Sequence, residues 1–239
     1  MSGQTCSFGD DLVPFCVQSC GKPINYCIAL EMHGEEKVHQ HVGREPSGQN
    51  FNEIALQHGT NLPHNPMINS GAIMTCSLIK HEQEQSDRFD HVMSAWQALS
   101  GGQRPGFQNS TFLSEADTAD RNHCLAYLMK EKGVFPENIK SGEDLQKTLE
   151  LYFQTCSIEV DCRSMAVVAG TLASGGICPV SGERVFAADT VNNCLSLMFS
   201  CGMYDYSGEF AFTCGFPSKS GVSGALMIVI PNVVGICTW

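Results

Sequence analysis

In Ser19-Cys20-Gly21-Lys22 a hydroxyl and an amine stand one helical turn apart, close enough to share a hydrogen bond. An amine held neutral can take the hydroxyl proton and turn the oxygen into a nucleophile. The spacing alone is a weak signal, because 22 Ser and 8 Lys in 239 residues supply about 0.7 such pairs by chance. A second pair does stand at Ser77 and Lys80. Local sequence separates the two. Pro23 lacks an N–H and is tolerated without loss only in the first turn of a helix, so a helix through Tyr26 and Cys27 is expected to begin near Cys20. Ser19 then becomes its N-cap, beside unpaired N–H groups and the positive end of the dipole. Ser77 falls inside an apolar helical run, with its amide already used, and reads as structural.

Lys219-Ser220-Gly221 adds to the first pair. Proteins that use Ser-x-x-Lys place a Lys-Thr/Ser-Gly triplet on a strand edging the site. A second cation near Lys22, together with burial, lowers a lysine pKa from about 10.4 toward the range of about 7 to 8 that suits a general base. Backbone N–H groups at Ser19 and just past Gly221 can converge on one carbonyl oxygen, each typically worth about 3 kcal/mol in such an arrangement. Gly221 permits the close backbone approach.

These groups must be held by the elements around them. Turn-rich joints fall at 43–50, 101–109, 133–138 and 175–183. Between them Met93, Ala95, Trp96 and Leu99 recur at helical spacing, and 114–132, 144–156, 162–173 and 188–199 predict helices. Residues 209–214 and 222–231 are short apolar runs split by Gly215, Pro217 and Gly221, and they predict two antiparallel strands. A helical layer against a C-terminal antiparallel sheet is an α+β arrangement, and the 239 residues are expected to form a single domain. No glycine-rich phosphate loop appears.

Composition excludes several functions. Hydrophobic residues make up 43% and charged ones 16%, and the net charge of −11 repels phosphate backbones and anionic lipid, so no nucleic-acid or membrane partner is expected. Residues 222–239 are too interrupted for a membrane helix, and residues 1–12 carry neither a secretory nor a transit signal. Thirteen cysteines, none paired at Cys-x-x-Cys spacing, read as free thiols. His39 and His41 with Glu35 and Glu36 read as a solvated stretch, and no metal site is expected.

Five longer stretches extend the two motifs: Val13-Pro-Phe-Cys-Val-Gln-Ser-Cys-Gly-Lys-Pro23, Pro63-His-Asn-Pro-Met-Ile-Asn-Ser-Gly-Ala-Ile73, Phe153-Gln-Thr-Cys-Ser-Ile-Glu-Val160, Ser200-Cys-Gly-Met-Tyr-Asp205 and Lys219-Ser-Gly-Val222. Through them nearly the whole chain resembles the serine-dependent glutaminases, specifically the animal kidney and liver types. That resemblance implies a β-lactamase-like (penicillin-binding-protein-like) fold and hydrolysis of L-glutamine to L-glutamate and ammonia through a glutamyl-serine ester. It implies no metal or organic cofactor, with phosphate as an activator, a homo-oligomer such as a tetramer, and a mitochondrial address; with no transit segment read here, a cytoplasmic form is the alternative.

Carried onto this sequence, the resemblance makes Ser19 the nucleophile, Lys22 its base and Tyr204 a proton relay to the leaving ammonia. The Val222 amide becomes the second oxyanion donor, supported by Lys219, Ser220 and Gly221. Asn69, Glu115, Asn122 and Tyr152 become the groups that hold the amino-acid end of glutamine. Glu115 suits the α-ammonium, and the amides of Asn69 and Asn122 suit the α-carboxylate.

The chain also departs from the family. It starts 18 residues before Ser19 and stops at Trp239, so the catalytic domain is expected to be incomplete at both ends, without an upstream substrate-contacting tyrosine and with an incomplete sheet. Two alternatives to an active glutaminase follow. One is a weak or inactive form that acts by assembling with full-length subunits. The other is a penicillin-recognising acyl enzyme, which shares both motifs but requires a Ser-Asp-Asn triplet that this sequence lacks.

Overall fold

The computed structural model describes residues 2–48 and 53–239. Residues 49 and 50, the end of the first expected joint, lie outside the described residues. A short strand β1 (Phe15–Cys16) passes through a 3-10 turn (Gln18–Gly21) into α1 (Lys22–Val38). Then follow α2 (Asn69–Leu78), α3 (Gln85–Leu99), β2 (Gly106–Phe107), α4 (Asn109–Asp117), α5 (Asp120–Glu131) and α6 (Gly142–Cys156). Strand β3 (Ile158–Val160) leads to α7 (Cys162–Ala173) and α8 (Ala188–Cys201), and a second 3-10 turn (Tyr204–Tyr206) leads to α9 (Ser207–Thr213). The chain closes with β4 (Ser218–Ser220), β5 (Leu226–Ile230) and β6 (Val234–Thr238).

Among the described residues the strands form two antiparallel sheets of three, ordered β1-β3-β2 and β4-β5-β6. Strand β3 holds the approach to Ser19 through Phe15 opposite Val160, and the Val17 N–H continues that pairing onto Ile158 O at 2.8 Å. In the second sheet β5 is central, with Lys219 opposite Met227 and Met227 opposite Cys237. Helix α7 covers this sheet. The contact with β6 is so close that a Cβ on Gly235 would lie 2.0 Å from Gly170 N, so only glycine fits there. The ring of Phe15 stacks on Trp239 at 5.4 Å, which ties β1 to the residue after β6.

Helix α2 is the buried centre, since every residue from Ser70 to Leu78 is buried. Helices α1, α5 and α6 pack around it. Its C-terminal carbonyls need donors inside the protein. The buried Arg88 of α3 supplies them, donating to Cys76 O and Ile79 O at 2.9 Å each. Helix α6 begins with a capping box, in which Ser141 Oγ accepts from Asp144 N and Asp144 Oδ2 accepts from Ser141 N. All thirteen cysteines are free thiols and seven are buried. His39 bonds the Tyr26 hydroxyl and Val42 O, and His41 bonds Val134 O.

Three sequence expectations are corrected. Residues expected as a strand at 209–214 belong mostly to helix α9: the Ser207 hydroxyl accepts from Met203 N and donates to Tyr204 O, nucleating a turn, and Phe212 stands 88% exposed, so its run has no buried face to alternate against. The strand expected at 222–231 is the shorter β5, because Gly221 to Gly224 form a turn closed by Gly221 N to Ala225 O at 2.8 Å. The helix expected at 114–132 breaks between α4 and α5, where the Thr118 hydroxyl donates back to Ser114 O.

Candidate active site

Ser19 sits inside the first 3-10 turn, and α1 begins only at Lys22, with Gly21 as its N-cap and Pro23 in its first turn. The expected N-cap role for Ser19 is therefore replaced by a tighter turn that ends where α1 starts. Gln18, just before it, adopts φ +47°, a left-handed conformation that costs a non-glycine residue energy. Tyr204 does the same at φ +54°. These two strained neighbourhoods face each other, and the Ser19 side chain lies near enough to the Tyr204 phenol to pull its pKa down against the larger effect of burial.

The Lys-Ser-Gly strand closes over this contact. Lys219 is fully buried; its ammonium donates to Gly202 O and Ser220 O at 2.9 Å and lies 3.9 Å from the centre of the Tyr204 ring. The Tyr204 hydroxyl donates to Ser220 O at 3.2 Å. From the other side Cys20 donates its thiol proton to Lys219 O at 3.2 Å. A Cβ on Gly221 would lie 3.0 Å from Val17 O and 3.4 Å from Cys20 Sγ, so the strand end presses directly on the Ser19 turn. A Cβ on Gly202 would meet Ser218 O at 1.8 Å, which is why the segment before Tyr204 can lie against β4.

Lys22 is also buried, and its Nζ donates to Asn69 Oδ1 at 2.7 Å. Asn69 passes the chain on, its Nδ2 donating to Asn122 Oδ1 at 3.2 Å. Asn69 thus orients the lysine as well as lying where the resemblance set a substrate group. Burial brings the Lys22 pKa down to about 8 against the weaker opposing influence of Cys156, Cys20 and Glu115. Lys219 is held well below the ordinary lysine value by burial first and by the Lys22 charge second. The repulsion expected between the lysines thus appears chiefly on Lys219, and burial accounts for Lys22. Burial pushes Tyr204 up to about 12, so it is a neutral phenol at pH 7.

Glu115, on α4, accepts from Gln18 Nε2 at 3.0 Å, and its charge acts on Lys22, Tyr152 and Cys156. Tyr152, on α6, is buried and its phenol is held well above the usual range by burial. Ser19, Lys22, Tyr204, Lys219, Ser220, Gly221, Asn69, Asn122, Glu115 and Tyr152 are thus linked through direct contacts or close charges. Val222 differs: its side chain is 84% exposed in the turn after β4, which leaves only its backbone for the site. Two members escaped the sequence reading. Gln18 and Cys20 flank the serine and bond to Glu115 and the Lys219 carbonyl, and neither residue type signals chemistry by itself. Ser77 is buried in α2 with its hydroxyl on Met74 O, a structural serine.

The glutaminase family model matches residues 1–239. This chain belongs to the glutaminase family. A protein of Caenorhabditis elegans named putative glutaminase 2 is 53% identical over 237 residues, 99% of this chain and 38% of that protein. The mitochondrial liver isoform of Rattus norvegicus glutaminase is 49% identical over 99% of this chain and 38% of its own length. A glutaminase of a Nostoc strain is 40% identical over all of this chain and 69% of its own. The chain therefore spans about two fifths of the animal relatives it matches. Among solved structures, Mglu in its native form superposes with TM-score 0.88 at 35% identity, covering 96% of this chain and 54% of that one. The probable glutaminase ybaS gives 0.89 at 32%, covering 96% and 72%. These neighbours give this glutaminase-family chain the α+β, β-lactamase-like fold expected from its sequence.

Proposed function

We propose that this chain is a glutaminase catalytic domain that hydrolyses L-glutamine to L-glutamate and ammonia through a glutamyl ester on Ser19. The observation that carries the reading is the buried Lys22, whose amine has a pKa of about 8 and which follows Ser19 by three residues, with the Tyr204 phenol near enough to that serine to feel it. Such a lysine is about one-tenth neutral at pH 7, enough to act as a base.

In the proposed reaction the Ser19 oxygen attacks the side-chain amide carbon while its proton passes to neutral Lys22. The oxyanion is met by the backbone N–H groups of Ser19 and Val222. The C–N bond breaks as ammonia leaves, taking its proton through the Tyr204 phenol. Water then attacks the ester carbon, gives up a proton to the same relay and releases glutamate and the Ser19 hydroxyl. Lys219 holds the Tyr204 ring in place from above. Glu115 receives the α-ammonium, Asn69 and Asn122 the α-carboxylate, and Tyr152 closes the same end. Ser19, Lys22, Tyr204 and the two backbone amides supply the nucleophile, base, proton relay and oxyanion donors, so the reading needs no metal or organic cofactor.

Likeness to the mitochondrial liver isoform supports a mitochondrial address; a homo-oligomer and activation by phosphate are parts of the proposal that rest on the family resemblance alone. The test is release of glutamate and ammonia from glutamine by the purified chain, with and without phosphate. The expected result is turnover that Ser19→Ala reduces at least 1,000-fold while its far-UV spectrum is unchanged. Turnover that survives Ser19→Ala, or a folded chain that releases nothing, rejects the reading.

A further inference from the structure

The cysteines that the proposed chemistry does not use include one pair placed across the α7 and β6 packing. Cys162 is the first residue of α7 and Cys237 lies in β6; their sulfurs are 3.8 Å apart. This proximity follows from register. Gly235 packs against Ala166 O and Gly170 N of α7. One turn of α7 from Ala166 back to Cys162 spans about 6 Å, and two residues of β6 from Gly235 to Cys237 span about 6.6 Å on the same face. The glycine contact that docks the strand therefore also places one thiol against the other.

Accessibility sets this pair apart. Cys27 and Cys194 also contact each other, but both are fully buried. Cys6, Cys124 and Cys214 are exposed. Cys162 and Cys237 are both partly exposed.

We infer that Cys162 and Cys237 are a modification site, forming a reversible disulfide on exposure to a peroxide and stapling the outer strand β6 to α7. Cys162 reacts first, because its sulfur accepts the S–H of Cys237 at 3.8 Å, and burial and the neighbouring thiol hold Cys237 as a thiol. The Cys162 thiolate attacks one peroxide oxygen, the O–O bond breaks and hydroxide leaves, giving a sulfenic acid on Cys162. The Cys237 sulfur then attacks the Cys162 sulfur, the S–O bond breaks and water leaves with the Cys237 proton. Two thiols lose two electrons and two protons, and one hydrogen peroxide becomes two waters. A rotamer change brings the sulfurs from contact to bonding distance. The closed loop joins the end of β6 to the start of α7, so the bond is read as resistance of the C-terminal sheet to unfolding.

The test treats the reduced full chain with equimolar hydrogen peroxide, blocks remaining thiols by alkylation and maps peptides without reduction. The expected result is a Cys162–Cys237 crosslinked peptide two hydrogens lighter than its parts, reversed by dithiothreitol. It is accompanied by a rise in the unfolding temperature of about 5 to 10 °C. Cys162→Ser and Cys237→Ser each abolish both changes, and the map on the unsubstituted chain stands alone if a variant fails to fold. Alkylation of both residues after peroxide, or a bond from either one to Cys6, Cys124 or Cys214 instead, overturns the inference.

Discussion

Lys22 is held where an ammonium is costly: among the described residues it makes no ion pair with a carboxylate, and its Nζ donates to the Asn69 amide oxygen. That choice of partner sets the pH response. A neutral amide oxygen orients the amine without stabilising its charge, whereas a carboxylate in the same place holds the proton. With Asn69 present, kcat/KM for glutamine rises about tenfold per pH unit and levels near pH 8, where Lys22 becomes neutral. Asn69→Asp raises KM at every pH, because its carboxylate faces the substrate α-carboxylate, and it moves the limb of kcat at saturating glutamine upward by at least one unit, so that kcat at pH 7 falls about tenfold and recovers as the pH is raised; a profile of kcat from pH 6 to 10 checks this. A uniform loss of kcat at every pH contradicts this account. Tyr204 stays protonated across this range and adds no limb of its own.

Among the elements, the docking of β6 on α7 has little tolerance. Gly235→Ala puts a methyl group 2.0 Å from Gly170 N and 2.3 Å from Ala169 C, both backbone atoms that cannot swing aside. It destabilises the chain by about 2 kcal/mol or more, read as a lower urea midpoint. Helix α7 was legible to the residue, because an aspartate precedes an apolar run of helical period and glycines follow it. Helices α6 and α8 were legible to within two residues at each end for the same reason. Helix α9 was not, since Phe210-Ala-Phe212 fits either period and its helix is set by the Ser207 hydroxyl bonds, a three-dimensional fact. The motif serine was legible from Pro23, yet its 3-10 turn was not: nothing in Gln18 announces a positive φ. Asn69 and Glu115 could be placed only through family resemblance, because each alone is an ordinary helix-terminal residue.

For the chain as a whole, two buried lysines near one serine trade stability for reactivity. The folded pKa of Lys22 lies below its unfolded value, so unfolding takes up a proton between about pH 8 and 10.5, and this group makes the fold more stable as pH rises through that window. Below pH 8 the cost is fully present, on the order of 3 kcal/mol. Lys22→Met removes that cost. It abolishes glutamine hydrolysis yet raises the unfolding temperature by a few degrees at pH 7, and the advantage disappears by pH 10.5. Calorimetry at the two pH values measures this, and a variant less stable than the parent at pH 7 rejects it. The second sheet depends on the same trade, because the other buried lysine lies in β4.

The stacking of Phe15 on Trp239 gives the protein a built-in optical reporter. Its two tryptophans occupy opposite settings, Trp96 only 1% exposed and Trp239 51% exposed. Iodide reaches the second indole and leaves the first untouched, so the quenchable, redder part of the emission follows the seam between β1 and β6, while the remainder follows the interior around α3.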